Sequence, residues 1–442
     1  MAETPILDMA VGGFGRFSSV WDFEDFWTRG NTFDAALRFV TAAQRRWPDD
    51  PRVQDMQMFL RTIIGADRVY LRKEIKGGYW ADDYGWWGIA CVTARNYLMS
   101  VADPNGAAEF LGLAEQCWAQ MIARGYDKLD TARPVPHGCA NAESPTSNGT
   151  KNTVTNANLF VLSVRLAAAI GGTTPGPADP YLAMAYAQYL WFKAWFTPAH
   201  GYLWPVNDPV AMVQERPIGA PDYEHKDRPT WEPGWVWSAD QGLMLAGLIG
   251  CLSIRGQLFE WAKRNVPGFD PRAFQNDLIA RANTILAGAK TLLFGLGFTG
   301  SDHVLREAPF NSSFSDDAKD YVCGRGVLLR YLAEIDTGSA LDEPIKLTAD
   351  ALWATRDTSN NQFAPQWRPA GDAGFNQQFR AAWGYGDGNT TWEFDPSWPQ
   401  KTIDGIVQAT GLDVLRAAIL AGQGTVEHAD SLVATETNPG GR

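Results

Sequence analysis

The chain has 442 residues, with 38 Lys and Arg against 50 Asp and Glu, a formal charge of -12. Hydrophobic residues are 45% and charged residues 20%, a globular balance, and a chain of this length buries roughly three quarters of its unfolded surface without a disulfide or metal staple. An isoelectric point near 5.0 argues against a nucleic-acid partner, because phosphate affinity comes from clustered Lys and Arg. No apolar run approaching about 18 residues is read, so no membrane span is expected.

Helical periodicity dominates the chain. A short helix is expected near 15–28. Asn31 to Trp47 repeats apolar residues at three- and four-residue spacing, with Asn31 or Thr32 as cap and Pro48 as stop. Similar amphipathic runs follow at 52–74, 86–101, 106–123, 153–170, 179–196, 237–254, 271–293, 317–335, 341–356 and 402–420. Strand-like alternation is nearly absent. Between the runs lie loops rich in Gly, Pro, Asn and Trp at 129–151, 197–235, 294–316 and 357–400; loops this long inside a compact domain are usually functional. No low-complexity linker divides the chain, so 1–442 is expected to be one catalytic domain with a weakly ordered tail at 423–442. A linear solenoid would show a fixed sequence period, and none is found. The expectation is an all-α fold, an (α/α)6 toroid with a double ring of six inner and six outer helices and the long loops lining a cleft at one end.

The cysteines, Cys91, Cys117, Cys139, Cys251 and Cys323, are odd in number and show no CxxC spacing, so no zinc or redox motif is seen. Cys91, Cys117 and Cys251 fall in apolar helical stretches and read as small core residues. The N-terminal stretch MAETPILDMAVGG lacks the basic and apolar regions of a secretion signal, which leaves exported and cytoplasmic locations both open.

The chain contains 19 Trp, 22 Phe and 13 Tyr. That aromatic area serves either a large core or faces that stack on flat, weakly charged ligands, sugars above all. Position begins to separate the two. The segment Gly77-Gly78-Tyr79-Trp80-Ala81-Asp82-Asp83-Tyr84-Gly85-Trp86-Trp87 puts two adjacent carboxylates where a helix begins. One reading makes one of them a helix cap and the other a first-turn acid favoured by the helix dipole. It leaves Trp80, Tyr84, Trp86 and Trp87 unexplained. The other reading is a catalytic pair: close carboxylates repel, one pKa rises, and a protonated acid stands beside an ionised nucleophile. Retaining glycoside hydrolysis needs that division, with the carboxyl groups about 5–5.5 Å apart. Neighbouring residues point about 100° apart around a helix, and a distorted first turn brings both onto one substrate.

Further along, Trp231, Trp235 and Trp237 in TWEPGWVWSADQG form either a sugar-stacking platform, with Glu232 or Asp240 on hydroxyls, or a Trp-lined hairpin packed on the helices. Asp302, Asp316 and Asp317 read as helix caps or solvated groups. In the 383–398 loop, a possible rim, Asp387 with Asn389 is too sparse for a calcium-type site. No metal or other cofactor is expected. The five histidines, His137, His200, His225, His303 and His428, are scattered, and only His137 is expected to approach the cleft. That scarcity disfavours an epimerase working by histidine pairs. A terpene-cyclase-like use of Asp82 and Asp83 lacks further carboxylates at helical spacing.

The run DDYGWWGIACVTARNYL resembles the consecutive Asp-Asp followed by aromatics of glycoside hydrolase family 76, the α-1,6-mannanases. Lys151-Asn152 with TVTNANLFVLSVRLAAAIG is similar to that family's Lys-Asn-hydrophobic helix, and YLAMAYAQYLWFKAWF to the helix after it. WSADQGLMLAGLIGCL is similar to its Tyr-Asn-Gln-Gly helix and RGVLLRYLAEI to its Lys-Gly-Ile-Phe-x-Arg helix. The likeness runs in patches from about 40 to 420. It implies an (α/α)6 barrel and retaining cleavage of α-1,6-mannosidic bonds, with Asp82 as nucleophile and Asp83 as acid/base. Asn152, Asp240 and Gln241 would fall near the same cleft. Two departures stand out: HGCANAESPTSNGTKN where a Gly-Gly-x-Trp-Trp element is usual, and Ala239-Asp240-Gln241-Gly242 in place of Tyr-Asn-Gln-Gly.

The expected activity is therefore endo-acting, retaining hydrolysis of an α-mannan-like oligo- or polysaccharide. Its binding surface would comprise Trp80, Tyr84, Trp86, Trp87, Asn152, Trp235, Trp237, Asp240 and Gln241. Three alternatives share the barrel: a non-catalytic glycan-binding protein, a transglycosylase, and a histidine-dependent sugar epimerase.

Overall fold

A computed structural model describes residues 5–126, 137–144, 151–172, 175–195, 203–207, 210–215, 236–309, 321–335, 340–368, 373–383 and 397–421. In chain order the first helices are α1 (Ile6–Phe17), α2 (Phe26–Arg46), α3 (Pro51–Glu74), α4 (Ala81–Ser100), α5 (Pro104–Gly125), α6 (Thr153–Ile170) and α7 (Asp179–Trp195). A hairpin of β1 (Leu203–Asn207) and β2 (Val210–Val213) follows. The chain continues through α8 (Ser238–Ser253), α9 (Arg255–Asn265), α10 (Pro271–Gly288), α11 (Gly324–Leu332), α12 (Asp342–Ala354), α13 (Ala373–Trp383) and α14 (Gln400–Leu420).

Helices α2, α4, α6, α8, α11 and α14 pack each on the next, and α14 returns to α2, closing an inner ring. Helices α1, α3, α5, α7, α10 and α12 lie against it from outside. The all-α toroid expected from periodicity is the observed fold. Gly85 of α4 meets Asn158 of α6, and Gly88 meets Leu162; the contacts climb together, so the two helices run parallel. Gly247 and Gly250 of α8 climb past Phe160 and Val164 of α6 in the same way. The N-termini of these inner helices therefore open on one end of the ring. Because an inner helix is covered on both sides, α6 is buried on nearly every face. By length and composition it could cross a membrane, contrary to the absence of such a run in the sequence reading, yet it is packed inside the ring.

Local chemistry sets the boundaries. Asp25, not Asn31 or Thr32, caps α2: its Oδ1 accepts the Thr28 N–H at 3.2 Å and the Thr28 hydroxyl at 2.5 Å. Asn31 and Thr32 lie inside α2 and are buried. Asp50, Asp103 and Asp270 each accept backbone N–H groups at the starts of α3, α5 and α10, all of which have Pro in the first turn. The first helix spans 6–17, not 15–28, because Met9, Ala10, Gly13, Phe14 and Phe17 supply its buried stripe. The periodicity marks no element at α9, which is bent 81° from α8, and α13 falls in the expected 357–400 loop. The hairpin was missed as well: Pro205 interrupts β1, and the register shifts between Pro205 and Asn207.

Away from the open end, the ring is closed by charge. Arg330 of α11 reaches Asp34 of α2 at 3.1 Å and Asp413 of α14 at 2.7 Å. Arg38 pairs with Asp34 at 2.9 Å and with Glu334, which also takes Arg416 at 3.0 Å. Burial alone would raise the Asp34 pKa, but Arg38, Arg330, Arg165 and the Thr93 hydroxyl outweigh it and hold the carboxyl well below the usual range.

Candidate active site

Asp82 and Asp83 stand in the first turn of α4, which begins at Ala81, five residues before the expected run. Both are half-buried. Asp83 Oδ2 accepts the Trp80 N–H at 3.0 Å, and Asp82 Oδ1 accepts the Asp83 N–H at 3.1 Å. These bonds use donors that a helix start leaves orphaned, and the dipole there favours negative charge. One oxygen of each carboxyl is thus fixed by backbone, which orients the pair.

The turn before the pair is clamped. The Gly77 carbonyl accepts the Tyr84 hydroxyl at 2.6 Å and Arg124 Nη2 at 2.7 Å, and the guanidinium lies 5.0 Å from the Tyr84 ring centroid. Burial raises the Tyr84 pKa, with Arg124 opposing it. Tyr79 stacks on Phe26 at 3.8 Å between centroids.

The expected stacking faces divide on inspection. Trp80 is half-buried and remains a candidate sugar contact. Tyr84 and Trp87 are 0% exposed, and Trp87 Nε1 donates to the Phe26 carbonyl at 2.7 Å. These two rings hold α4 against α2 and offer no face to a ligand, which corrects the expectation for them. Trp86 and Trp237 are buried at the open end and meet edge to face, 6.4 Å between centroids. Trp27 of α2 touches Trp86, and Tyr321 touches Trp237. The four rings make a floor that links α2, α4 and α8; the sequence reading had not singled out Trp27 or Tyr321. Trp231, Trp235 and Glu232 lie outside the described residues, as do Asp316, Asp317, Asp387 and Asn389.

Gln241 also turns inward. Its Oε1 accepts the Val213 N–H at 2.7 Å, and its Nε2 donates to the Val213 carbonyl at 2.6 Å and to Trp237 O at 3.0 Å. The amide extends the hairpin like a further strand residue. Fully buried, it anchors β2 and does not reach a sugar. The anchoring delivers Glu215, two residues on, to Asn152 at the threshold of α6: Asn152 Nδ2 donates to Glu215 Oε1 at 2.7 Å. Asp240, in the first turn of α8, is 0% exposed and faces Glu215 and Glu307. The side chain is engaged with those two carboxyls, and this engagement corrects the expectation of a direct hydroxyl contact.

Glu307 accepts the Ser238 N–H at 2.7 Å, the Ser238 hydroxyl, and the Ala308 N–H at 3.1 Å. Burial pushes its pKa up to about 7, against the pull of these donors and Arg325. Sequence reasoning missed Glu215 and Glu307 because both sit in aperiodic connections. The only signal was that the 197–235 and 294–316 loops were long. His137 lies in a left-handed backbone conformation, φ 67°, and its carbonyl accepts Gln188 Nε2 of the outer helix α7 at 3.0 Å. Asp302 is ion-paired with Arg306 at 2.6 Å. Among the described residues no group of three or more His, Cys, Asp and Glu is placed to hold a metal ion.

The model of glycosyl hydrolase family 76 matches residues 14–264, more than half of the chain. No curated protein sequence matches. An inactive variant of the α-1,6-mannanase of Salegentibacter sp. HEL1_6, in complex with α-1,6-mannotetrose, superposes with a TM-score of 0.55 at 16% identity, covering 95% of this chain and 100% of that one. A protein of Listeria innocua gives 0.53 at 14% identity, covering 94% and 97%. A family 76 α-mannanase of Bacteroides thetaiotaomicron gives 0.52 at 10% identity, covering 95% and 96%. At these identities the structures share the fold. The family match carries the assignment: the chain belongs to glycosyl hydrolase family 76, and it is a glycoside hydrolase.

Proposed function

We propose that the protein is a retaining glycosidase that cleaves α-mannosidic linkages within α-1,6-mannan, with Asp82 as nucleophile and Asp83 as acid/base. The observation that carries this reading is the consecutive, half-buried carboxyl pair at the open end of the ring, each with one oxygen held by a backbone N–H. Asp82 attacks the anomeric carbon as the glycosidic C–O bond breaks and Asp83 gives its proton to the leaving oxygen. A glycosyl ester on Asp82 results. Asp83, now ionised, takes a proton from water, whose oxygen displaces Asp82 and regenerates the enzyme. Trp80 and Asn152 are the contacts proposed for the sugar bound there, over the floor formed by Trp86 and Trp237.

Two properties of the Salegentibacter enzyme support the substrate class: the variant with two consecutive aspartates replaced is inactive, and it is in complex with α-1,6-mannotetrose. The test is hydrolysis of α-1,6-mannan by wild type, Asp82→Asn and Asp83→Asn, with the anomeric configuration of the first product followed by NMR. The expected result is turnover by wild type alone, with retention. Equal activity in all three proteins, or inversion, overturns the assignment.

A further inference from the structure

A second set of carboxyls, Glu215, Asp240 and Glu307, is buried at the open end of the ring. Neither oxygen of Asp240 receives a hydrogen bond from a described donor, and what it faces is Glu215, within hydrogen-bonding reach, and Glu307. Glu215 is differently placed: it accepts Asn152 Nδ2 at 2.7 Å and the Val154 N–H at 3.0 Å, at the positive end of α6. Glu307 has the donors of Ser238 and Ala308, with Arg325 facing it. Glu215 and Glu307 each accept donors that favour negative charge, although burial still raises the Glu307 pKa, whereas Asp240 has no such donor among the described residues. A buried carboxyl without donors, beside a carboxylate that has them, keeps its proton and donates it.

Asn152 reports what this arrangement is for. It occupies the cap position of α6, where an Asn side chain ordinarily accepts a backbone N–H, yet its side chain makes no cap bond. Glu215 has taken over that task through Val154. Since the Glu215 carboxylate only accepts, Asn152 must turn its NH2 toward it. The Asn152 Oδ1 is left buried, with no partner among the described residues, at a threshold adjoining α4.

We propose that Asp240 and Glu215 share one proton as an acid–carboxylate pair, and that this pair is the positioning device that holds the Asn152 amide oxygen ready for a sugar hydroxyl. The inference rests on the cleft being the glycosidase site proposed above. Burial, and then the charge and hydrogen bond of Glu215 and the charge of Glu307, keep the Asp240 pKa well above the usual carboxylate range. Lys151, buried immediately before Asn152, is the basic residue at that threshold.

The experiment has an arm that needs no turnover. Thermal stability of wild type, Asp240→Asn and Glu215→Gln is followed from acid to alkaline pH. A carboxyl that keeps its proton when folded and loses it when unfolded costs stability as pH rises above the ordinary range. Asp240→Asn, which retains a donor for Glu215, is therefore expected to melt above wild type by a margin that grows with pH. Parallel curves overturn the shared proton. In the second arm, KM for α-1,6-mannotetraose is expected to rise about tenfold in Glu215→Gln and in Asp240→Leu, with Asp240→Asn recovering most of that loss. An unchanged KM in Glu215→Gln, with the stability curves still diverging, overturns the positioning role. No turnover by wild type on any α-mannoside sinks the glycosidase reading instead, while the stability curves still decide the pair.

Discussion

Arg330 holds Asp413 in a two-point grip, Nη2 to Oδ2 at 2.7 Å and Nε to Oδ1 at 3.0 Å, and its remaining Nη1 reaches Asp34 at 3.1 Å. Both residues of the grip are 1% exposed. One guanidinium thus ties three inner helices, α2, α11 and α14, at the end of the ring away from the carboxyl pair. Replacing it with Ala leaves two carboxylates in the interior with less compensation, and removing one partner of a buried pair costs about 3–5 kcal/mol. The expected outcome for Arg330→Ala is a cooperative unfolding transition displaced to much lower denaturant. A shift within about 0.5 kcal/mol, as surface substitutions give, would show that the network is not holding the ring.

The two ends of the ring differed in how much the sequence revealed. The inner helices were legible because each carries apolar residues at three- and four-residue spacing over 15 residues or more in most cases, and that pattern survives burial on both sides. Helix α9 was not, since it buries only Leu258 and Ala262, and among the described side chains of α13 the buried rings are Phe375 and Phe379. At the site, adjacency exposed Asp82 and Asp83 directly. Glu215, 133 positions after Asp82 in the numbering, is brought in by Gln241 and a short hairpin, a purely tertiary relationship. The aromatics were half legible: composition announced them, but only packing separates the enclosed Trp87 from the half-buried Trp80.

Substitution of Asp82 or Asp83 with Asn tests chemistry with little disturbance of the fold. Asn keeps an oxygen that can accept the Asp83 or Trp80 N–H, so stability should change by less than about 1 kcal/mol. Turnover of an α-mannoside should fall by about a hundredfold or more in each variant. Calorimetric binding of the oligosaccharide should persist. Loss of binding together with loss of the native melting transition would point to a capping role instead.

Trp237 should behave as a core residue. It is 5% exposed, donates from Nε1 to the Tyr321 carbonyl at 3.1 Å, and packs against Trp86. Trp237→Phe loses the hydrogen bond and orphans a buried carbonyl, about 1–3 kcal/mol; Trp237→Ala adds a cavity and costs about 3–5 kcal/mol. Affinity measured on the folded fraction should fall less than stability does. The opposite ranking would make Trp237 a stacking face.

Gly324 permits the close approach of α11 to α8. A β-carbon there would meet Glu307 Oε2 at 2.5 Å and Ser238 Oγ at 2.7 Å as well as the Trp237 indole nitrogen. Gly324→Ala must displace a charged cap and a buried ring, an overpacking cost of about 1–3 kcal/mol. Gly112, where a β-carbon meets nothing within 4 Å, is the control: Ala is favoured over Gly in a helix by up to about 1 kcal/mol. Opposite shifts in melting temperature are expected for the two variants, and equal shifts would remove the steric argument.

Glu307 should give stability a pH dependence of its own. Its folded pKa of about 7 lies above the ordinary 4.5 because burial outweighs Ser238, Arg325 and Ala308. Between those values the folded protein keeps a proton that the unfolded chain has released. Its contribution is thus fully present below about pH 4.5 and is lost as pH rises toward 7. A shift of that size corresponds to about 3 kcal/mol across the window. Glu307→Gln, which cannot titrate, should flatten the stability curve between pH 4.5 and 7, whereas Asp240→Asn should flatten it beyond that range as well. A Glu307→Gln curve parallel to wild type through this window would mean that the buried carboxyl is already ionised, with Arg325 dominating over burial.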